Sequence, residues 1–502
     1  MAVVSTQVTD ERAVAGPAFP KALPIAVGAL GLGILAQLLF FDVGLGINFP
    51  IAIAALLFAG WLAGGSPLRR LRPVDAWLPV AALVFAVFVA LRGDPTLVAL
   101  DVLGSLALTA ASMPAFGGLR VVDRALGGVA VLALRVAGAA AAGAGHVVAG
   151  VAGRVPALRS REALGPWAAV LRGLLIALPL VLLFVALFSA ADAVFAEWTD
   201  RLLDWDLDLG GFIGRAIMAL VVAWVAAGLL AFAARPGEDR TDDDLAGAWA
   251  RRPRIGTTET LTVLVALNAV FLAFVVLQAA YLFGGRDTLA ETGLTYAEYA
   301  RRGFFELLAV AFLVGALVLA AESFVRERTL PYRVALIGLV AMTLVALASA
   351  FLRLRLYQDA YGWTELRFYV LAAIFWLAIG AVMAVATILA NRCGWLVHGL
   401  VLLSVLFGLV FNVIGPVRLV AEENVKLYRA QQLADGLDFD YLISLGSDAA
   451  PAATEAFGGW SRPNPPQWLE ELARSSGLNN PGNDTWQAWN LSREKARELL
   501  GR

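Results

Sequence analysis

Cysteine, histidine and lysine are nearly absent from this 502-residue chain, and charge of either sign is scarce. The single cysteine, Cys393, excludes a disulfide framework and a thiolate metal cluster. The two histidines, His146 and His398, lie far apart, so no multi-histidine metal site is expected. The lysines are Lys21, Lys426 and Lys495; none follows a glycine, which excludes a Walker-type phosphate loop and the ATP-driven engine built on it. There is no serine in a G-x-S-x-G elbow and no H-E-x-x-H zinc helix. No cofactor is therefore expected. Charged residues make up 16% of the chain and apolar residues 60%, whereas soluble domains carry roughly a quarter charged. A water-soluble fold has no room to hide that much hydrocarbon, so the chain reads as an integral membrane protein. The net charge of -1 lacks the basic surplus that phosphate backbones demand, and no nucleic-acid partner is expected.

What is present is a series of long apolar runs. Stretches of about 20 apolar residues cross hydrocarbon as helices, and they fall at 22–41, 47–64, 76–92, 96–113, 168–191, 211–234, 259–283, 304–325, 333–352, 366–390 and 395–415. They do not alternate as barrel strands do, and lipid offers no partner to an unpaired backbone. The expected fold is an all-α polytopic membrane protein with about eleven transmembrane helices. The first 21 residues are polar and lack the basic start and apolar core of a cleaved signal peptide. Residues 22–113 form a four-helix membrane region, 114–167 an amphipathic segment in the membrane interface, and 168–415 a seven-helix core. Residues 416–502 change to a charged, Asn- and Pro-richer composition and read as a small helical domain. In it RLVAEENVKLYRAQQLA and LDFDYLISL are helices, and Asp484 with Gln487 offers a capping box for the last one.

Segment 125–153 is apolar enough to span, yet Arg124, Arg135 and His146 recur every eleven residues and share one helical face. A basic stripe on a Gly/Ala-rich helix suits the membrane surface. With the N-terminus inside, 21 of the 39 Lys and Arg fall on cytoplasmic segments and nine on the opposite short loops. An odd number of spans then puts the C-terminal domain outside the cell.

Five segments carry a family resemblance: LRGLLIALPLVLLFVALFSAADAVFA at 172–196, GLTYAEYARRGFFEL at 293–307, RLRLYQDAYGWTELRFY at 353–369, LDFDYLISLGSDAAPA at 437–452 and WQAWNLSREKARELL at 486–500. In this order they resemble a bacterial multi-pass membrane family known as domain of unknown function 4153/4173. The resemblance covers about the last two-thirds of the chain, with residues 1–167 carrying little of it. One departure is GPVRLVAEEN at 415–424, where the family more usually has Asn-Pro-Asp or Asn-Pro-Glu. The resemblance implies architecture and bacterial origin and no activity.

Polar residues inside spans are the informative ones, since they are costly there. Asp101, Ser105, Thr109 and Ser112 form one stripe on the fourth span, either lining an ion or proton path or bonding neighbouring helices. Asn268 and Gln278 share a broad face of the seventh span, with helix–helix bonding as the plain reading. Gly31, Gly33, Gly60, Gly64, Gly210 and Gly214 read as close-packing positions. The outer helix ends gather a candidate ligand-binding group: Gln278, Tyr281, Tyr296, Tyr299, Arg301, Arg302, Glu306, Arg353, Arg355, Tyr357, Tyr361, Glu365 and Arg367. Spacing pairs Arg302 with Glu306, Arg353 with Tyr357 and Trp363 with Arg367. Arg and Tyr together suit a lipid headgroup or anionic small molecule. The competing reading is an aromatic belt with snorkelling arginines and a structural clamp, with Glu306 and Glu365 in buried ion pairs.

Three functions remain open. The first is a binding or transport protein with an outer Arg/Tyr/Glu vestibule. The second is a signalling or scaffold subunit, sensing through 416–502 and meeting a cytoplasmic protein partner at the basic 235–257 loop. The third is a lipid or glycan enzyme, the weakest because no nucleophile, metal set or carboxylate pair is readable.

Overall fold

The computed structural model describes residues 21–65, 71–122, 126–152, 209–234, 256–283, 304–325, 327–392, 394–431, 436–458 and 465–501. Among these the chain is helical, without strands. The bundle is made of α1 (Ala22–Phe40), α2 (Asn48–Gly64), α3 (Trp77–Leu91), α4 (Pro95–Phe116), α5 (Leu126–Ala152), α6 (Leu209–Ala234), α7 (Thr257–Phe283), α8 (Phe304–Phe324), α9 (Leu330–Tyr361), α10 (Glu365–Leu389) and α11 (Gly394–Ile414). A cap follows, built from α12 (Pro416–Arg429), α13 (Phe439–Ser444), α14 (Ala450–Gly458), α15 (Pro465–Ser475) and α16 (Leu491–Leu500).

Seven of the described helices, α1, α4, α6, α7, α9, α10 and α11, are long and apolar enough to cross a membrane. Helices α2 and α3 are apolar but shorter, at 17 and 15 residues, and α8 coincides with the expected run at 304–325. The run at 168–191 lies outside the described residues; among the described residues seven helices have full spanning length, beside the shorter apolar ones.

The helix ends sort into two faces. Lys21 at the start of α1 donates to the Ala63 carbonyl at the end of α2, 2.8 Å away. The Val122 N–H beyond α4 reaches Asp75 Oδ1 ahead of α3 at 2.9 Å. At the other end, the turns at 41–47, 92–94 and 362–365 all meet the cap, through bonds described below. The N-terminus and the cap therefore lie at opposite ends of the bundle. Lys21, Arg72, Arg120, Arg328, Arg333 and Arg392 fall at the N-terminal face by the direction of their helices.

Small residues let the apolar helices approach. A Cβ on Gly33 of α1 would run into the Ala219 carbonyl of α6, the close approach small residues permit. Gly60, Gly64 and Gly214 are similarly crowded, by Met113, Phe116 and Phe41, whereas Gly31 and Gly210 face open space. Helix α5 lies against α6, with Gly228 on the Ala139 carbonyl and Trp224 Nε1 donating to Ala141 O at 2.7 Å. Leu132 and Val136 pack in one cluster with Leu229, Phe232 and Ala233, while Val147 shares another with Ile25, Ala29 and Ala226. Residues 132–147 of α5 thus pack along the second half of α6 and in one cluster with the start of α1. Arg124 and the His146 side chain lie outside the described residues.

The cap has its own apolar core of Val420, Val425, Leu442, Ala453, Leu472 and Ala496, continuous with Phe368 of α10. Its last helix corrects the capping expectation. Asn490, not Asp484, caps α16, accepting the Arg493 N–H at 3.1 Å. Residues Trp486–Ala488 form a short 3-10 turn in between, and Asp484 instead pairs with Arg497 at 3.0 Å.

Candidate functional site

The Asp94-Pro95 pair opens α4 with two local signals, a carboxylate N-cap and a proline in the first turn. Asp94 Oδ1 accepts the N–H groups of Thr96 at 2.9 Å and Leu97 at 3.3 Å. Seven residues later, two helical turns on and about 10 Å deeper into the bundle, Asp101 lies on the same helix face, and it is completely buried. Ser105, Thr109 and Ser112 continue the line, all buried. Ser105 donates to Ala82 O of α3 at 2.8 Å and Ser112 to Leu108 O of its own helix at 2.7 Å. The Thr109 hydroxyl has no partner.

Helix α11 supplies the partner for Asp101. Asn412 Nδ2 donates to Asp101 Oδ1 at 2.6 Å and to Gly408 O at 3.0 Å. Both neighbours are acceptors, so the amide must present its nitrogen to them. That leaves two buried oxygens without a donor, Asp101 Oδ2 and Asn412 Oδ1. Native interiors rarely tolerate such groups, which cost about 1–3 kcal/mol each. Arg92, at the end of α3, donates to the Asn412 backbone carbonyl, and its Nε is buried without a partner.

Above this pair the cap forms a roof. Asp448 Oδ2 accepts the backbone N–H groups of Gly93 and Asp94 at 2.9 and 2.8 Å, and its Oδ1 accepts from Ser492 at 2.6 Å. A Cβ on Gly93 would strike the Ser447 hydroxyl, so the turn sits close against the cap. Asn490 Nδ2 holds the Val89 and Arg92 carbonyls at 3.0 and 2.8 Å. The α1–α2 turn is pinned by Gly44 N to Gly482 O, Ile47 N to Trp489 O and Arg493 to Leu45 O, at 3.0, 2.9 and 2.7 Å. The α9–α10 turn is clasped by Asn424, which accepts from Trp363 N and donates to Trp363 O, both at 2.7 Å. From α10, the Tyr369 hydroxyl donates to Asp94 Oδ2 at 3.3 Å. Burial pushes the Asp94 carboxyl up to about 6, helped by the charges of Glu365 and Asp448 and opposed by the Leu97 and Thr96 N–H groups.

The α9–α10 half of the expected Arg/Tyr group lies among the described residues and is assembled there. The Arg367 guanidinium lies over the Tyr357 ring at 4.2 Å and donates to Tyr361 O and Gly362 O at 3.1 and 2.6 Å. Tyr357 and Tyr361 pack ring to ring at 5.0 Å, and Arg355 sits 6.0 Å over Trp363. The spacing-based pairing of Trp363 with Arg367 is thus replaced by Arg355 with Trp363. Arg353 is half-buried on α9. The Glu365 backbone N–H donates to the Tyr441 hydroxyl at 2.8 Å. Glu306 is exposed in the first turn of α8 rather than buried. Tyr296, Tyr299, Arg301, Arg302 and the side chains of Gln278 and Tyr281 lie outside the described residues. Asn268 bonds Leu264 O and Ala335 O at 2.7 and 2.9 Å, joining α7 to α9.

Arg92, Asp94, Tyr369, Asn412 and Asp448 escaped the sequence reading. Asn412 had a usable signal, being an amide inside an apolar run just as Asn268 is. Among the described residues no group of three or more His, Cys, Asp or Glu is arranged to hold a metal. A separate cavity of about 140 Å³ between α8, α9, α10 and α11 is apolar, lined by residues such as Phe312, Val318, Leu347 and Trp376.

A family model described as "Domain of unknown function (DUF4153)" matches residues 80–456, well over half the chain. The match starts in α3, far earlier than the resemblance at 168 onward suggests, and takes in Asp94, Asp101, Tyr369, Asn412 and Asp448. Neither the curated proteins nor the solved structures contain a match to the chain.

Proposed function

The chain belongs to the DUF4153 family, and from that premise we propose that it is a binding- or transport-type membrane protein whose site is the buried centre around Asp101. The observation that carries this reading is the pair of unpartnered oxygens, Asp101 Oδ2 and Asn412 Oδ1, deep between α4 and α11. A carboxylate held inside a membrane bundle serves ion or proton pathways more often than structure. The buried line from Asp101 through Ser105 and Thr109 to Ser112 adds polar groups toward the N-terminal face. Asp94, Asp101 and Glu365 around one arginine give the centre an acidic character, which suits a proton or small cation better than an anion. In this reading Arg367, Tyr357 and Tyr361 clamp the α9–α10 turn, since the Arg367 donors already serve carbonyls. The basic N-terminal face lies toward the cytoplasm, with the 235–257 connection available to a cytoplasmic protein, and the cap lies outside.

The test compares wild type with Asp101→Asn in lipid nanodiscs, recording melting temperature across pH and across Li+, Na+, K+ and choline. A site ligand at 100 times its Kd stabilises by about 2.7 kcal/mol. Wild type should respond to one of these ions, the proton included, in a way the variant does not. Identical responses throughout would overturn the reading. A scaffold or signalling role would then stand in its place, favoured by a cap fixed to three turns of the bundle.

A further inference from the structure

The two unpartnered oxygens at the centre belong to groups that already share one hydrogen bond. Asn412 Nδ2 donates to Asp101 Oδ1, and what remains open is the other oxygen of each group. We infer that the centre is a proton-binding site in which Asp101 Oδ2 takes a proton and donates it to Asn412 Oδ1, closing a carboxylic acid–amide ring. This deepens the ion-site reading above and rests on it. The step is a plain protonation: a proton from the aqueous phase adds to the carboxylate, and no bond between heavy atoms changes.

One proton satisfies both oxygens at once. A metal cation satisfies them poorly, because hard cations gather six or more oxygen ligands. Only two free oxygens are found here, and among the described residues no group of three or more His, Cys, Asp or Glu could hold a metal ion. An anion meets the carboxylates of Asp94 and Asp101. Arg92 does not neutralise Asp101 by direct pairing, because its guanidinium bonds the Asn412 backbone carbonyl instead.

The charged and titratable groups acting on Asp101 are Arg92 at the end of α3, Asp94 at the start of α4 and Tyr369 on α10, with the neutral Asn412 facing it from α11. Of these, Asp94 opposes a second negative charge and Arg92 favours one. Tyr369 ties Asp94 to the cap face of the same centre. The Asp94 carboxyl, itself pushed up to about 6 by burial, stands at the cap end of the same helix face.

Infrared spectra of the full chain in nanodiscs test this, with Asp101→Asn and Asn412→Leu as the variants. At pH 7 the difference between wild type and Asp101→Asn should contain the C=O stretch of a protonated carboxylic acid. In Asn412→Leu that band should shift in frequency, because its hydrogen-bond partner is gone. A difference spectrum with only ionised carboxylate bands at pH 7 would overturn the inference. If Asp101→Asn does not fold, the comparison of wild type with Asn412→Leu decides: no shift in the acid C=O region overturns it. Carboxylate bands together with a sodium-dependent melting shift that Asp101→Asn abolishes would overturn the proton and leave the ion-site reading standing. Carboxylate bands with no ion-specific response would remove both.

Discussion

Two polar contacts between helices of the bundle invite comparison. Asn268 joins α7 to α9 and uses both amide hydrogens on carbonyls, Leu264 O and Ala335 O. Asp101 and Asn412 join α4 to α11 through a shorter bond, yet keep one oxygen each without a donor in a fully buried setting. The first contact uses both amide hydrogens and leaves no fully buried atom without a partner. The second is incomplete, and the inferred proton would supply the missing donor. Interhelical bonds in membranes are typically worth about 0.6–2 kcal/mol, so two bare buried oxygens would erase what the pair gains. Helix association alone therefore explains Asn268 and does not explain Asp101.

The comparison predicts that completed contacts are the ones whose loss hurts. The largest effect should come from Asp448→Ala, which strips three donors, the Gly93 and Asp94 N–H groups and the Ser492 hydroxyl, of their acceptor. A loss of about 3 kcal/mol is expected, read as a lower melting temperature and faster proteolysis at the cap. Asn268→Leu should cost about 1 kcal/mol, since the carbonyls it leaves also serve their own helices. An unchanged melting temperature there would blur the contrast.

Asp94 provides a smaller effect of the opposite sign. Its carboxyl is pushed from 3.8 to about 6, so the folded state holds that proton more tightly than the unfolded chain does. Its contribution is complete below about pH 4 and is lost as pH rises through 6. Acidification from pH 7 to pH 5 should therefore stabilise wild type by about 1 kcal/mol. Asp94→Asn keeps a good N-cap and should flatten that dependence. An equally steep profile in the variant would assign the proton elsewhere.

Much of the architecture was legible before any coordinates. Apolar runs marked the helices because crossing length and lipid leave few alternatives, and α4 carries Asp101, Ser105, Thr109 and Ser112 on one face as helical spacing requires. The partner of Asp101 was not legible, since Asn412 lies 311 residues away and no periodicity links the two. The roof was hidden for the same reason: Asp448 and Asn490 reach turns near residue 93 across more than 350 residues. Local spacing also misled at the cap end of the bundle. An i,i+4 rule pairs Trp363 with Arg367, but Gly362, at φ 73°, ends α9 and turns the chain. Residue 363 therefore leaves the helix, and Arg367 stacks on Tyr357 instead.

The most direct measurement is the melting temperature of Asp101→Asn beside wild type at pH 7 in the same nanodiscs. An asparagine imitates the neutral acid and can close the same ring with Asn412, so the variant should melt within a degree of wild type or above it. If Asp101 instead works as an ionised carboxylate, the variant should melt several degrees lower, and that result would contradict the account.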